Sequence, residues 1–245
     1  MGGPPEVKKR FKIAPHGKNH YSTGIRDLDE IVGVMHRPGC YNLLEIERDV
    51  TLSPERLLRP IVSNYLNQGG YVVILPPYGL SASTIFKSLE PLVDKEILSC
   101  NLRVVDFKAF SDEDVEPYAI LFEGKSIRDD MPHFWNIDFR GRSDKPIFSV
   151  VGFDTLEYVY GRDELLKVLG ADLAVTRNLG GLRLNIIRPE CAITAHLSAL
   201  ADLHMIVRSI HGAIFLQGVK PKTPLLSIEL YVDEEGAEVR LTPIL

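Results

Sequence analysis

Apolar residues in this chain follow two rhythms. Short strand-like runs occupy Tyr41 to Ile46, Tyr71 to Leu75, Asn101 to Phe107, Phe148 to Val151 and Leu182 to Ile187. The run from Tyr71 is unbroken, as expected of a strand covered on both faces, and Pro76-Pro77 stops it. Between these runs the apolar positions recur every three or four residues, the period of a half-buried helix. Ile25, Leu28 and Ile31 follow Ser22 and Thr23, either of which can cap a short helix. Ser53-Pro54-Glu55 opens a longer one: Ser suits the cap, Pro the first helical position, and Glu the positive end of the dipole. Leu57, Leu58, Ile61, Val62 and Tyr65 form its buried stripe, and Gly69-Gly70 ends it. Ser81 to Val93, residues 156–181 and Ala192 to Ala201 read as further helices. Two β-hairpins close the chain, His204 to Val219 and Leu226 to Leu245, the second around Asp233-Glu234-Glu235-Gly236. Phe110 to Pro146 reads as polar and irregular.

Strands alternating with helices predict an α/β fold: a mostly parallel sheet with helices on both faces and antiparallel hairpins at one edge. The pattern predicts one domain over residues 21–245. Residues 1–20, rich in Gly, Pro and Lys and without periodicity, are expected to form a flexible N-terminal arm.

Composition narrows the function classes. A net charge of −5 disfavours nucleic acid or an anionic membrane as partner of the whole chain. No apolar run reaches the roughly 18 residues that a membrane span needs. The opening MGGPPEVKKRFK has no apolar stretch behind its basic residues, and Glu6 stands where N-myristoylation needs Ser or Thr. Cys40, Cys100 and Cys191 lie far apart without a CxxC pair, the pattern of separate reduced thiols in a cytoplasmic protein.

In an open α/β sheet, ligands gather at the carboxyl ends of the strands, and the first strand-to-helix turn is the natural phosphate site. A working phosphate loop reads GxxxxGK[ST]: glycines for close backbone approach, Lys for charge, a hydroxyl for Mg²⁺. Thr23-Gly24-Ile25 with Leu28-Asp29, then Gly39 and Leu43-Leu44-Glu45, resembles the opening of KaiC/RadA-type proteins of the RecA superfamily. The resemblance covers roughly residues 22–94 and 147–245 and implies a RecA-like fold. It lays the phosphate loop over Ile46 to Ser53. Ile46 and Thr51 then stand at the two glycine positions, Leu52 at the lysine, and Ser53 alone keeps its type. Left-handed geometry at a non-glycine residue costs about 1–2 kcal/mol, and a lost charge-assisted bond about 1.5–3 kcal/mol. Glu47 and Asp49 add negative charge beside any phosphate. The expectation is a degenerate Walker A motif.

The resemblance marks three more places. The Glu-Glu pair that follows the second core strand in KaiC-like proteins is Pro76-Pro77 here, and proline supplies no general base. Ser149 to Thr155 resembles the strand ending in the magnesium-associated Asp, which puts Asp154 in that role; Asp154 also reads as a plain helix or turn cap. Lys220-Pro221-Lys222 falls where KaiC-like proteins carry a Lys-x-Arg finger toward a neighbouring subunit's nucleotide. With Lys222 in place of Arg, bidentate phosphate recognition is weakened. A solvated basic turn is the plain reading of the same residues.

Other groups invite chemistry. His196, His204 and His211 have the wrong spacing for ligands on one helix. Asp129-Asp130 and Asp112 to Glu116 read as solvated loop charge. Trp135 with His133, Phe134 and Phe139 reads either as an exposed partner patch or as a small satellite core. Gly79-Leu80-Ser81-Ala82-Ser83 lacks the closing glycine of a nucleophile elbow, and Ser81 reads better as a helix cap.

The expected protein is therefore a RecA-like pseudo-ATPase that works by protein association. Its expected partner is a second copy or an active RecA-type paralogue. No cofactor or metal is expected, with Ser53 and Asp154 as vestigial nucleotide contacts and Lys220 and Lys222 as interface finger. Residual ATP-Mg²⁺ binding through an altered loop, and DNA binding as in recombinase paralogues, are the alternatives. Archaeal relatives of KaiC include regulators, motility components and recombinase paralogues, and the residues do not choose among these.

Overall fold

The computed structural model describes residues 20–32, 37–108, 118–137, 145–233 and 236–244. Residues 1–19 of the arm expected over 1–20, the acidic run Asp112 to Glu116, Phe139 and the turn residues 234–235 lie outside them.

The strands are β1 (Tyr41–Ile46), β2 (Tyr71–Leu75), β3 (Leu102–Phe107), β4 (Ala119–Phe122), β5 (Ile147–Gly152), β6 (Leu182–Ile187), β7 (Leu203–Ile210), β8 (Ala213–Lys220), β9 (Lys222–Asp233) and β10 (Gly236–Pro243). They form one sheet in the order β10-β9-β8-β7-β1-β6-β5-β2-β3-β4. Every pair from β7 to β4 is parallel, and β7 to β10 form an antiparallel meander. This is the α/β architecture that the alternating pattern predicts. The two expected hairpins are one continuous meander, because β8 pairs β9 as well.

Helices α1 (Arg26–Val32), α2 (Pro54–Asn67), α3 (Ala82–Leu89) and α4 (Lys95–Asn101) cover one face; α5 (Ile127–Trp135), α6 (Phe153–Tyr160), α7 (Arg162–Leu179) and α8 (Thr194–Leu200) cover the other. Strand alternation divides the core accordingly. Leu44, Ile46, Val72 and Ile74 face the first layer, while Tyr41, Leu43, Val73 and Leu75 face the second. Three stretches of the chain depart from the sequence pattern. The irregular region contains β4 and α5, whose four and nine residues are too short for a clear period. A turn at residues 90–94 separates α4 from α3. Gly161 divides the expected helix over 156–181 into α6 and α7.

Beside the motif Thr23-Gly24, the Asp29 carboxylate accepts from the Thr23 amide at 2.9 Å and its hydroxyl at 2.7 Å, closing the entry to α1. Gly24, at φ +77°, lies so close to α2 that a Cβ would stand 2.7 Å from the Asn64 Cβ and 2.8 Å from the Pro60 carbonyl. This motif is packing chemistry, since it lets the turn ahead of α1 seat on α2, where Asn64 also donates to the Ser22 carbonyl.

The face under α5–α8 holds a buried ionic network. Asp172 is 1% exposed and Arg183 3%. Asp172 receives bonds from Arg183 Nη2 at 2.8 Å, Trp135 Nε1 at 2.8 Å and the Tyr41 hydroxyl at 2.9 Å. The guanidinium of Arg183 also lies over the Phe134 ring, 5.4 Å from its centroid. Trp135 and Phe134 thus belong to the core and do not make an exposed patch. Removing one partner leaves a charge buried and unpaired, which is strongly unfavourable. Asp172→Ala is expected to lower the unfolding free energy by about 3–5 kcal/mol, read from urea titrations followed by the fluorescence of Trp135, the single tryptophan.

Candidate functional site

The parallel strands all end at one edge, where the turns after β1, β2, β3, β5 and β6 meet. After β1 the backbone keeps pairing through Glu47, whose amide reaches the Val207 carbonyl at 2.9 Å, then turns with Val50 N to Glu47 O at 3.2 Å. None of Ile46 to Ser53 takes a positive φ. The strain foreseen for non-glycine residues here is therefore absent, because the loop adopts a different path instead of a forced left-handed one. Leu52, at the position of the lysine in the resemblance, is 9% exposed and sits in the core under α1–α4. Asp49 and Thr51 are exposed. Glu47 pairs with Arg208 at 3.6 Å, and Arg48 with Glu190 at 3.2 Å. Ser53 occupies the cap position of α2 without a side-chain bond to the helix, and its hydroxyl donates to Glu55.

Asp154 lies at the start of α6, and its Oδ1 accepts from the amides of Tyr78 at 3.1 Å and Thr155 at 2.9 Å. Its Oδ2 faces Arg188 Nε at 3.7 Å. Burial pushes the carboxyl above its ordinary range, against the pull of the two amides and Arg188. The turn after β2 is clamped here as well. Thr155 donates its hydroxyl to the Pro76 carbonyl at 2.8 Å, and a Cβ on Gly152 would meet Pro76 O and Pro77 Cα at 2.5 Å. Asp154, Thr155 and Gly152 thus hold Pro76-Pro77 against the end of β5. Ser81 caps α3, accepting from Thr84 N at 3.1 Å.

Two clefts open along this edge. The first, about 400 Å³, has Val105, Phe107 and Val159 in its walls with Ser81, Thr155 and Asp106. The second, about 270 Å³, is lined by Asp154, Glu157, Arg188, Glu190 and Cys191. Tyr78 and Tyr158 line both and divide them, with ring centroids 4.9 Å apart. These tyrosines are 49% and 63% exposed. Burial, together with the Glu157 carboxylate, pushes the Cys191 thiol up to about 11, so it is protonated at neutral pH. Neither tyrosine stood out in the sequence, because one lies in a turn and the other on a helix eighty residues later.

The other candidates lie apart from this edge or inside the fold. Lys220, Pro221 and Lys222 are exposed in the β8–β9 turn; Lys220 pairs with His204 near the amino end of β7, which puts the turn at the opposite edge. The Lys220 ammonium donates to the Ala201 carbonyl. His196, His204 and His211 fall on α8, β7 and the β7–β8 turn. His204 is buried between Ser198 and Glu45, each at 3.0 Å from a ring nitrogen, and ties α8 to β7 and β1. Asp130 is not solvated charge: at 3% exposure it accepts from the Glu123 and Gly124 amides and from the Tyr160 hydroxyl. Such a partner set is invisible in sequence, where Asp129-Asp130 reads as a polar pair.

The sheet order, the helices on both faces and the closing meander define a RecA-like fold of the KaiC type. The KaiC-like protein PH0186 from Pyrococcus horikoshii OT3 superposes with a TM-score of 0.61 at 10% identity, over 90% of this chain and 98% of that one. Protein PH0321 from Pyrococcus horikoshii, solved in complex with an unknown peptide, superposes with a TM-score of 0.59 at 18% identity, with the same coverage. In sequence the chain is similar to protein GvpD2 of Halobacterium salinarum, 27% identical over 239 residues, which is 91% of this chain and 46% of that protein. It is 22% identical to protein GvpD1 of the same organism over 93% of this chain and 52% of the relative. The chain therefore spans about half the length of the curated relatives it matches. No family model matches it.

Two measurements check the edge. Gly152→Ala is expected to cost about 1–3 kcal/mol, read as a lowered midpoint of thermal unfolding, because backbone atoms stand where the methyl must go. For Asp154 the folded-state pKa is raised, so its stabilising contribution is complete below the unfolded carboxylate value near ~4 and is lost as pH rises through the folded value. Asn keeps an oxygen for the two amides and does not ionise. The stability of the parent chain relative to Asp154→Asn should therefore fall as pH climbs above the ordinary carboxylate range, measured by denaturant titration at stepped pH.

Proposed function

We propose that this chain is a RecA-like regulatory protein that works by associating with other polypeptides and does not hydrolyse ATP. The partner is a second copy or an active RecA-type relative. The turn after β1 carries this reading. Where the resemblance asks for a lysine, Leu52 is folded into the core, and the turn exposes Asp49 with no left-handed residue to wrap phosphates. A leucine in that place offers no charge to a triphosphate, and the neighbouring carboxylates repel one. Ser53 and Asp154 spend their oxygens on Glu55, two backbone amides and Arg188. Pro76-Pro77 brings no general base to the strand end. The unknown peptide bound to PH0321 is in keeping with a role in protein association. The degenerate Walker A reading, the absence of cofactor and the finger role of Lys220 and Lys222 belong to this proposal.

A ligand that binds the folded state raises its stability by RT ln(1 + [L]/Kd). With ATP-Mg²⁺ at about 1 mM the midpoint of thermal unfolding is expected to stay within about 1 °C of the ligand-free value, since negligible binding gives a negligible logarithm. Saturable stabilisation at micromolar ATP overturns the reading in favour of residual nucleotide binding.

A further inference from the structure

We propose that the paired clefts at the carboxyl edge, with Tyr78 and Tyr158 between them, form a docking site for a partner's polypeptide segment that carries an apolar side chain beside basic ones. The inference rests on the association reading above and gives it a surface and a chemistry.

Shape and polarity define the occupant. A cleft of about 400 Å³ has the size of pockets that enclose whole ligand groups. Its walls at Val105, Phe107 and Val159 are apolar. The hydroxyls that line it already have partners within the chain, Thr155 the Pro76 carbonyl and the exposed Ser81 the Thr84 hydroxyl. What remains is an apolar hollow with the Asp106 carboxylate at its border. The tyrosines beside it leave two large rings in water, and such rings, once covered, dominate the binding energy of protein interfaces.

Charge sets the sign. The second cleft presents Glu157 and Glu190, with the buried Asp154 and its partner Arg188 in its wall. Arg48 adds a second guanidinium through its pair with Glu190. With Asp106, three accessible carboxylates line the clefts, while Arg48 pairs with Glu190 and Arg188 faces the buried Asp154. A lysine or arginine arriving here meets excess negative charge and two partly exposed tyrosine rings, both favourable to a cation. An acidic segment meets repulsion.

The test is isothermal titration of the full chain with the peptide acetyl-Lys-Phe-Lys-Leu-Lys-amide. Binding is expected in the range of about 10–100 μM, weakening as salt is raised from about 0.05 to 0.5 M. The same peptide with glutamate in place of lysine should bind at least about tenfold more weakly. So should the original peptide to Tyr158→Ser, whose exposed ring contributes little to folding and whose integrity circular dichroism verifies. Glu190→Gln should weaken binding about threefold and flatten the salt dependence. Absence of binding at about 1 mM peptide, equal binding of the acidic peptide, or undiminished binding to Tyr158→Ser overturns the proposal. These failures are separate from failure of the association reading, which falls if ATP-Mg²⁺ stabilises the chain whether or not the peptide binds.

Discussion

A central strand buried along its whole length has to satisfy its polar groups from inside the protein, and this constraint organises the molecule. All six residues of β1 are buried, and Tyr41, Asn42 and Glu45 each carry a polar side chain. Water cannot reach these groups, so an unpaired one costs about 1–3 kcal/mol. Tyr41 donates to Asp172 on α7, Asn42 to the Arg183 carbonyl on β6, and Glu45 meets His204 on β7. Each partner comes from a different element. Strand, neighbouring strands and covering helix must therefore adopt one register for all three pairings to form, and that register places the turns after β1, β5 and β6 side by side.

The carboxyl edge inherits its character from this packing. Once β1 is fixed with Leu44 and Ile46 toward the first layer, the turn that follows places Leu52 in the same core. The edge is then finished by close contact instead of glycine-rich backbone. Gly152 admits Pro76-Pro77, Thr155 and Asp154 hold that turn, and Tyr78 and Tyr158 are left outermost. The edge where folds of this kind gather ligands is here aromatic and acidic.

Our proposal is that such a surface receives polypeptide and not phosphate. Likeness to PH0186 and PH0321 establishes the fold, and the two GvpD proteins extend the likeness over nearly all of this chain. The Lys220–Lys222 turn lies at the opposite edge of the same sheet from the two clefts.

The sequence by itself determined the architecture. The bounds of β1, β2 and β6 follow from their apolar runs and flanking Gly and Pro, and the caps at Ser53 and Ser81 mark two helices, because backbone geometry and burial act locally on successive residues. The identities of Ile46, Thr51, Leu52 and Ser53 were also legible, and their relation to a phosphate loop belongs to the proposal. Only the tertiary structure decided what the polar residues do. Asp130 reads as loop charge yet is buried under three bonds, Asp172 is unremarkable on its helix yet gathers Tyr41, Trp135 and Arg183, and Tyr78 meets Tyr158 across eighty residues. A polar side chain's role is fixed by which partner lies within about 3 Å, and that depends on how distant segments cross in space.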